Sequence, residues 1–357
     1  MTRGRPKRVP VGLYVLLGLF AAAAAIVLVW GPQGAAGVFT DPALLWQRIL
    51  WPLLRLTFFI SIGLFAGQVI EGLGWTDRLA VTARPFMRGA HLSPPMGAAF
   101  TTAFVSGTAS LSMLMEFHRE GGLSRRELTL AVLLNTFPSF FLHLPTTFFV
   151  LLPLVGRAGL LYLLLTFAAA LVRLAAALAA SRLLLPPFHG DYAAGRGPAA
   201  ASWRRVLKET AGKFRARIAR ILVIVLPVYI IVTVASDAGL FAWLRGLLAE
   251  RVTGFPIPIE AFSVVLFSLV AEFTSGYAAA GAMLESGALT VGQTVLALLL
   301  GNILAAPVRA LRHQLPYYMG IFTPKLGLGL MAASQMFRML SLALVAGGFL
   351  AGLALLT

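Results

Sequence analysis

Apolar runs long enough to cross a bilayer recur along this chain of 357 residues. A spanning helix needs about 20 such residues. The runs fall near 11–30, 49–71, 128–155, 157–182, 219–239, 290–308 and 327–355. Two further apolar stretches, 96–115 and 258–284, are rich in Gly, Ser and Thr and read as broken helices. Only 12% of the residues are charged, against 59% hydrophobic. A soluble domain carries about 25% charged residues, so this chain cannot coat a water-facing surface, and it is too apolar to be disordered. The sequence therefore reads as an all-α polytopic membrane protein.

The charge is lopsided, with 29 Lys and Arg against 13 Asp and Glu, a net +16. In a soluble protein that excess points to nucleic acid; beside membrane spans it marks cytoplasmic loops and contact with anionic lipid, so no nucleic-acid partner is expected. Most of it sits in three segments: the arm Arg3, Arg5, Lys7 and Arg8; Arg78, Arg84 and Arg88 against Asp77; and the basic linker 186–220. The positive-inside rule places all three in the cytoplasm, giving a multi-pass protein of the cytoplasmic (inner) membrane with its N-terminus inside. The first run exceeds a signal-peptide core and reads as an uncleaved helix. In the linker, Trp203, Leu207, Phe214 and Ile218 recur at helical spacing against a basic face, the pattern of an interfacial helix touching membrane lipids. Counting spans back from that linker puts 116–127 inside as well, which makes 96–115 a re-entrant hairpin; the alternative is an ordinary span with 116–127 outside.

The two halves repeat one another. Phe104-Val-Ser106-Gly107-Thr-Ala109 recurs as Phe273-Thr-Ser275-Gly276-Tyr-Ala278, each followed by an apolar helix reaching Asn135 or Asn302. Leu144-Pro145, Pro153 and Gly156 recur as Leu315-Pro316, Pro324 and Gly327. One span between the copies inverts the second. The expected organisation is a basic arm and first transmembrane helix (1–48), a first repeat (49–185), the basic linker (186–218) and an inverted second repeat (219–357). Inverted repeats with discontinuous helices are the architecture of secondary transporters, whose sites lie near the midplane.

Polar groups at bilayer depth are expensive and serve as functional candidates. The expected substrate site lies between the two breaks, with Ser106, Gly107, Thr108 and Ser110 on one hairpin and Thr274, Ser275, Gly276 and Tyr277 on the other. Glycine lets the chain leave helical geometry there; the competing reading is close helix packing through small residues. Asn135 and Asn302 either brace the hairpins or contact substrate. Glu272, deep in an apolar run, is a candidate for proton or cation coupling, or else pairs with an intramembrane arginine. Arg55, Arg173, Arg309, Arg312 and Arg338 leave a surplus of positive charge that favours an anionic or phosphate-bearing substrate, while some of them snorkel to the interface. No phosphate-cradling loop, zinc-ligand spacing, nucleophile elbow or carboxylate pair occurs, so neither an enzyme nor a cofactor or metal is expected.

These motifs resemble the nucleoside-recognition or Gate domain family. That family includes the Gate modules of ferrous-iron transport protein B, segments of concentrative nucleoside transporters, and spore maturation proteins A and B. The resemblance rests on Ser106-Gly107-Thr108-Ala109, Ser275-Gly276-Tyr277-Ala278, Leu144-Pro145-Thr146-Thr147-Phe148-Phe149-Val150 and Leu311-Arg312-His313-Gln314-Leu315-Pro316. It implies a membrane transport role with the Ser-Gly breaks at the gate. The GTPase domain and gate cysteines of the iron transporter are missing, which argues against ferrous iron. The expectation is thus a secondary transporter for a small polar, anionic solute. The alternatives are a lipid or polyprenyl-phosphate flippase and a non-transporting scaffold subunit; a homo-oligomer is compatible with each.

Overall fold

The computed structural model describes residues 41–55, 89–187, 258–270 and 273–356, with single positions between 57 and 65 and between 207 and 234. Among them all regular structure is helical, with no strand. Three stretches are long and apolar enough to cross a membrane: Arg125–Leu184, Val291–Arg309 and Pro324–Leu355. These match the runs read at 128–155 with 157–182, at 290–308 and at 327–355. The first helix, the interfacial linker and the run at 219–239 lie wholly or largely outside the described residues. The chain is a membrane protein.

The helices begin where the sequence supplies caps. Asp41 accepts a hydrogen bond from Ala43 N at 2.8 Å and opens α1 (Pro42–Leu45), which runs into a π turn at Trp46–Leu50. Pro94 and Pro95 start α2 (Pro94–Ala103), where a missing N–H costs nothing. Ser106 caps α3 (Gly107–Arg119). A reciprocal capping box of Ser124 and Glu127 opens α4 (Arg125–Leu134), and α5 (Thr136–Leu184) follows at once. Gly156, at φ 53 and ψ −123, divides α5 into two limbs.

The second half runs through α6 (Ala261–Val270), α7 (Phe273–Glu285) and α8 (Val291–Arg309). Pro307 interrupts the ladder inside α8, and a π turn follows at Ala310–Gln314. Then come α9 (Leu315–Ile321) and α10 (Pro324–Leu356). Thr290 and Gln293 exchange the same pair of backbone bonds as Ser124 and Glu127. At one constant spacing Gly121 answers Gly287, both at positive φ, and the Leu123 N–H to Phe117 carbonyl bond answers Leu289 to Met283. The break at Gly156 answers Phe322, the extended residue between α9 and α10, at that spacing too.

The chain forms two compact units that interleave along the sequence. One gathers 1–60, 151–158 and 216–302; the other gathers 61–150, 159–215 and 303–357. By this division α5 changes unit around Gly156, and α8 changes unit after Asn302. In the second unit Phe104, Leu92, Met96, Leu114, Leu128 and Leu134 are fully buried. Arg182 Nη1 donates to Gly89 O at 2.9 Å and the His91 ring meets Leu185 O at 3.1 Å, tying the segment before α2 to the end of α5. Phe214, on the linker's apolar stripe, packs edge-on against Phe65 at 5.7 Å.

Candidate functional site

The first of the two stretches read as broken is interrupted in the structure, between α2 and α3. The first hairpin turns at Phe104-Val105-Ser106, between α2 and α3. Phe104 is buried and stacks edge-on with Phe100 and Phe137, with Phe141 6.0 Å away. Val105 next to it is exposed. Ser106, extended at φ −154, caps α3 by accepting from Ala109 N at 3.2 Å, and its hydroxyl lies 3.1 Å from that of Thr108. Around Gly107 there is open space, so no neighbour requires a glycine there.

Below that turn a buried polar chain crosses three elements. Asn135 Nδ2 donates to Ser110 Oγ at 2.7 Å, and Ser110 Oγ donates to Ala99 O at 2.6 Å. Ser110 is fully buried and Asn135 6% exposed. The amide, through Ser110, links the α4–α5 corner to both limbs of the hairpin. Asn135 Oδ1, however, is buried with no hydrogen-bond partner. A buried acceptor left unmade costs about 1–3 kcal/mol, so this carbonyl is an unspent acceptor at the first hairpin, as is the Ser93 hydroxyl at the start of α2.

The second hairpin departs from the expected register. Ser275 and Gly276 lie within α7 rather than between α6 and α7, and residues 271–272 lie outside the described residues. The spacing that pairs Gly121 with Gly287, and Leu123 with Leu289, aligns Gly107 with Phe273 rather than with Gly276. Gly276 is therefore a packing glycine: a β-carbon there would collide with Ser268 Oγ and stand 3.1 Å from Ser268 Cβ. Gly301 on α8 approaches the same serine, 2.7 Å from Oγ to an added β-carbon. Ser275 donates to Phe267 O at 2.7 Å, and Ser268 to Val264 O at 2.7 Å. Thr274 Oγ1 is also buried without a hydrogen-bond partner. Tyr277 is buried, and so is Asn302, which lies inside α8 rather than at its end.

The charged candidates separate. Glu272 and the Arg312 side chain lie outside the described residues. Arg55 pairs with Glu285 at 3.3 Å, both half-exposed, and Tyr229 OH donates to the other Glu285 oxygen at 2.5 Å. Arg309 is half-buried in the last turn of α8. Arg173 is buried, donating to Ser341 Oγ at 2.8 Å, with Arg338 one turn before that serine. Sequence reasoning missed Glu285, Tyr229, Ser341 and Glu260. Glu260 is 2% exposed and lines a cavity of about 290 Å³ with Pro258, Ile259, Ala288 and Gln293. That cavity opens at the start of α6, the end opposite the break. Its only signal is an acid following two prolines at a helix start. Among the described residues no cluster suited to a metal ion occurs.

No family model and no solved structure matches the chain. Similar chains come from the archaeon Methanocaldococcus jannaschii. "Uncharacterized protein MJ1556" is 26% identical over 292 residues, 80% of this chain and 90% of its own length. "Uncharacterized protein MJ0871" is 24% identical over 276 residues, covering 77% and 86%. "Uncharacterized protein MJ0880" is 20% identical over 279 residues, covering 77% and 90%. The similarity runs through nearly the whole of each relative.

Proposed function

We propose that this protein is a secondary transporter that binds a small polar, anionic solute at its broken helices and exposes it alternately to the two sides of the inner membrane. The observation that carries the reading is Asn135. Its amide nitrogen braces the first hairpin while its carbonyl oxygen, buried among apolar side chains, has no donor. One turn before Ser110, the Ser106 and Thr108 hydroxyls stand at the start of α3. A helix start favours negative charge, and the Asn135 oxygen accepts a hydroxyl or amine of the same solute. In this reading the two hairpin copies are inverted and re-entrant, and the arm, 73–95 and the linker lie on the cytoplasmic face. The Gate-family likeness belongs with the same proposal.

The test is a thermal-unfolding screen of the detergent-purified full chain against nucleosides, organic anions, divalent metals and phospholipids. One class of polar anion stabilises the wild type, and Asn135→Leu removes that stabilisation while still folding. A screen without any stabilising anion, or an undiminished response in Asn135→Leu, overturns the reading.

A further inference from the structure

We propose that the helix opening at α1 carries a binding site for a zwitterionic phospholipid, with the headgroup on Trp46, Gln47 and Trp51 and a tail along Leu50, Leu54 and Phe58. The site stands apart from the broken helices and does not depend on the solute reading above. After α1 the chain leaves regular geometry at Trp46–Leu50, where the Trp51 N–H donates to the Trp46 carbonyl five residues back. In an α-helix residues five apart point about 140° from one another, at 3.6 residues per turn. The wider turn, a form found often at functional sites, brings the two indoles to one side: their ring centroids are 6.2 Å apart, with 33° between the planes. Trp46 is 50% exposed and Trp51 53%. Gln47 joins them around a cavity of about 300 Å³.

The place of this cavity points to its occupant. The apolar run read at 49–71 begins beside it, and indoles gather where a span meets the headgroup layer, the ring in an apolar setting and the N–H in a wet one. The chain is helical at 51–55, 57 and 58. Leu50, Leu54 and Phe58 follow one another at four-residue intervals, and all three are exposed, so they form one uncovered apolar row. From Trp46 to Phe58 the helical rise is about 18 Å, enough to cross one leaflet of a hydrocarbon core about 30 Å thick. Large side chains in such a row suit lipid tails, whereas close contact with a second helix calls for small ones. Among the described residues lining the cavity none is charged, so a headgroup with a net charge would lie there uncompensated. A zwitterionic headgroup is neutral overall. Its ammonium meets the indole faces, and its phosphate accepts from the indole N–H groups and the Gln47 amide.

The full chain, purified in a non-ionic detergent and stripped of lipid, is titrated with dioctanoyl phosphatidylcholine and with dioctanoyl phosphatidylglycerol while thermal unfolding is followed by circular dichroism. Wild-type protein shows a saturable upward shift with the choline lipid and no comparable shift with the glycerol lipid. Trp46→Leu and Trp51→Leu keep apolar bulk at half-exposed positions and therefore fold. In each the apparent affinity falls about fivefold or more, as the loss of a cation–π contact implies. No shift with the choline lipid, an equal shift with the glycerol lipid, or an unchanged affinity in either variant overturns the proposal. A second measurement tests what covers the apolar row. Leu54→Cys places one cysteine in a chain that has none; it is labelled with a nitroxide in phosphatidylcholine vesicles, and its collisions with oxygen and with a water-soluble nickel chelate are compared. Lipid contact gives oxygen the advantage. Shielding from both assigns the row to a second copy of the chain, and access to nickel assigns it to a water-filled path; either result overturns the proposal.

Discussion

Gly107 and Gly276 occupy matching places in the sequence motif but opposite situations in space. Gly107 begins α3 with nothing near its missing side chain, whereas Gly276 lies against Ser268 inside α7. Gly107→Ala is therefore expected to leave unfolding within about 0.5 kcal/mol of wild type, an ordinary surface effect. Gly276→Ala must displace a serine wedged between α7 and α8 and is expected to cost about 1–3 kcal/mol. Thermal unfolding of the two variants in one detergent tests this; equal stabilities would refute the assignment of Gly276 as a packing residue. The same geometry explains what the motif concealed. Gly and Ser are the common contact residues of membrane helices, so Ser275-Gly276 resembled Ser106-Gly107 for a reason of packing, not of hinge position. Asn135 was legible because an amide in an apolar run needs a partner; its orphan oxygen was not, since only coordinates show which half of the amide is satisfied.

At the level of elements, punctuation was more legible than spans were equivalent. The boundaries at Val291, Arg309 and Pro324 lie close to the runs read from hydropathy, because about 20 apolar residues leave little choice. The truer register was written in the capping boxes Ser124-x-x-Glu127 and Thr290-x-x-Gln293 and in Gly121 and Gly287, all visible in the sequence. Polar signals of this kind recur by chance less often than small apolar ones do, which makes them the better anchors for pairing two halves. Glu285 illustrates the opposite case: its partners Arg55 and Tyr229 are distant in sequence, and no local pattern joins them. Gly156 gives this scale its prediction. Its φ of 53 with ψ of −123 suits glycine alone, although there is room for a side chain. Gly156→Ala is expected to cost about 1–3 kcal/mol through backbone strain, whereas Ser124→Ala should cost about 1 kcal/mol through a lost cap. Denaturation midpoints of the two variants check the order; a neutral Gly156→Ala would mean the limbs of α5 join without that conformation.

For the molecule as a whole, the scarce charge of the chain carries a topology that can be tested directly. In the proposed topology the basic arm, 73–95 and the linker share one face under the positive-inside rule, and the three runs read at 128–155, 157–182 and 219–239 would put the two capping-box loops on opposite faces. The chain has no cysteine, so single cysteines report sidedness without any prior engineering. Glu120 and Ser286 are both exposed and occupy equivalent places just before Gly121 and Gly287. Glu120→Cys and Ser286→Cys, each expressed in intact bacterial spheroplasts, are treated with a membrane-impermeant maleimide. Ser286→Cys is expected to label from outside, and Glu120→Cys only after the membrane is opened. The prediction needs no knowledge of the solute, because it depends on charge distribution and span count alone. Labelling of both positions from the same side would remove the inversion, and with it the argument for alternating access through paired broken helices.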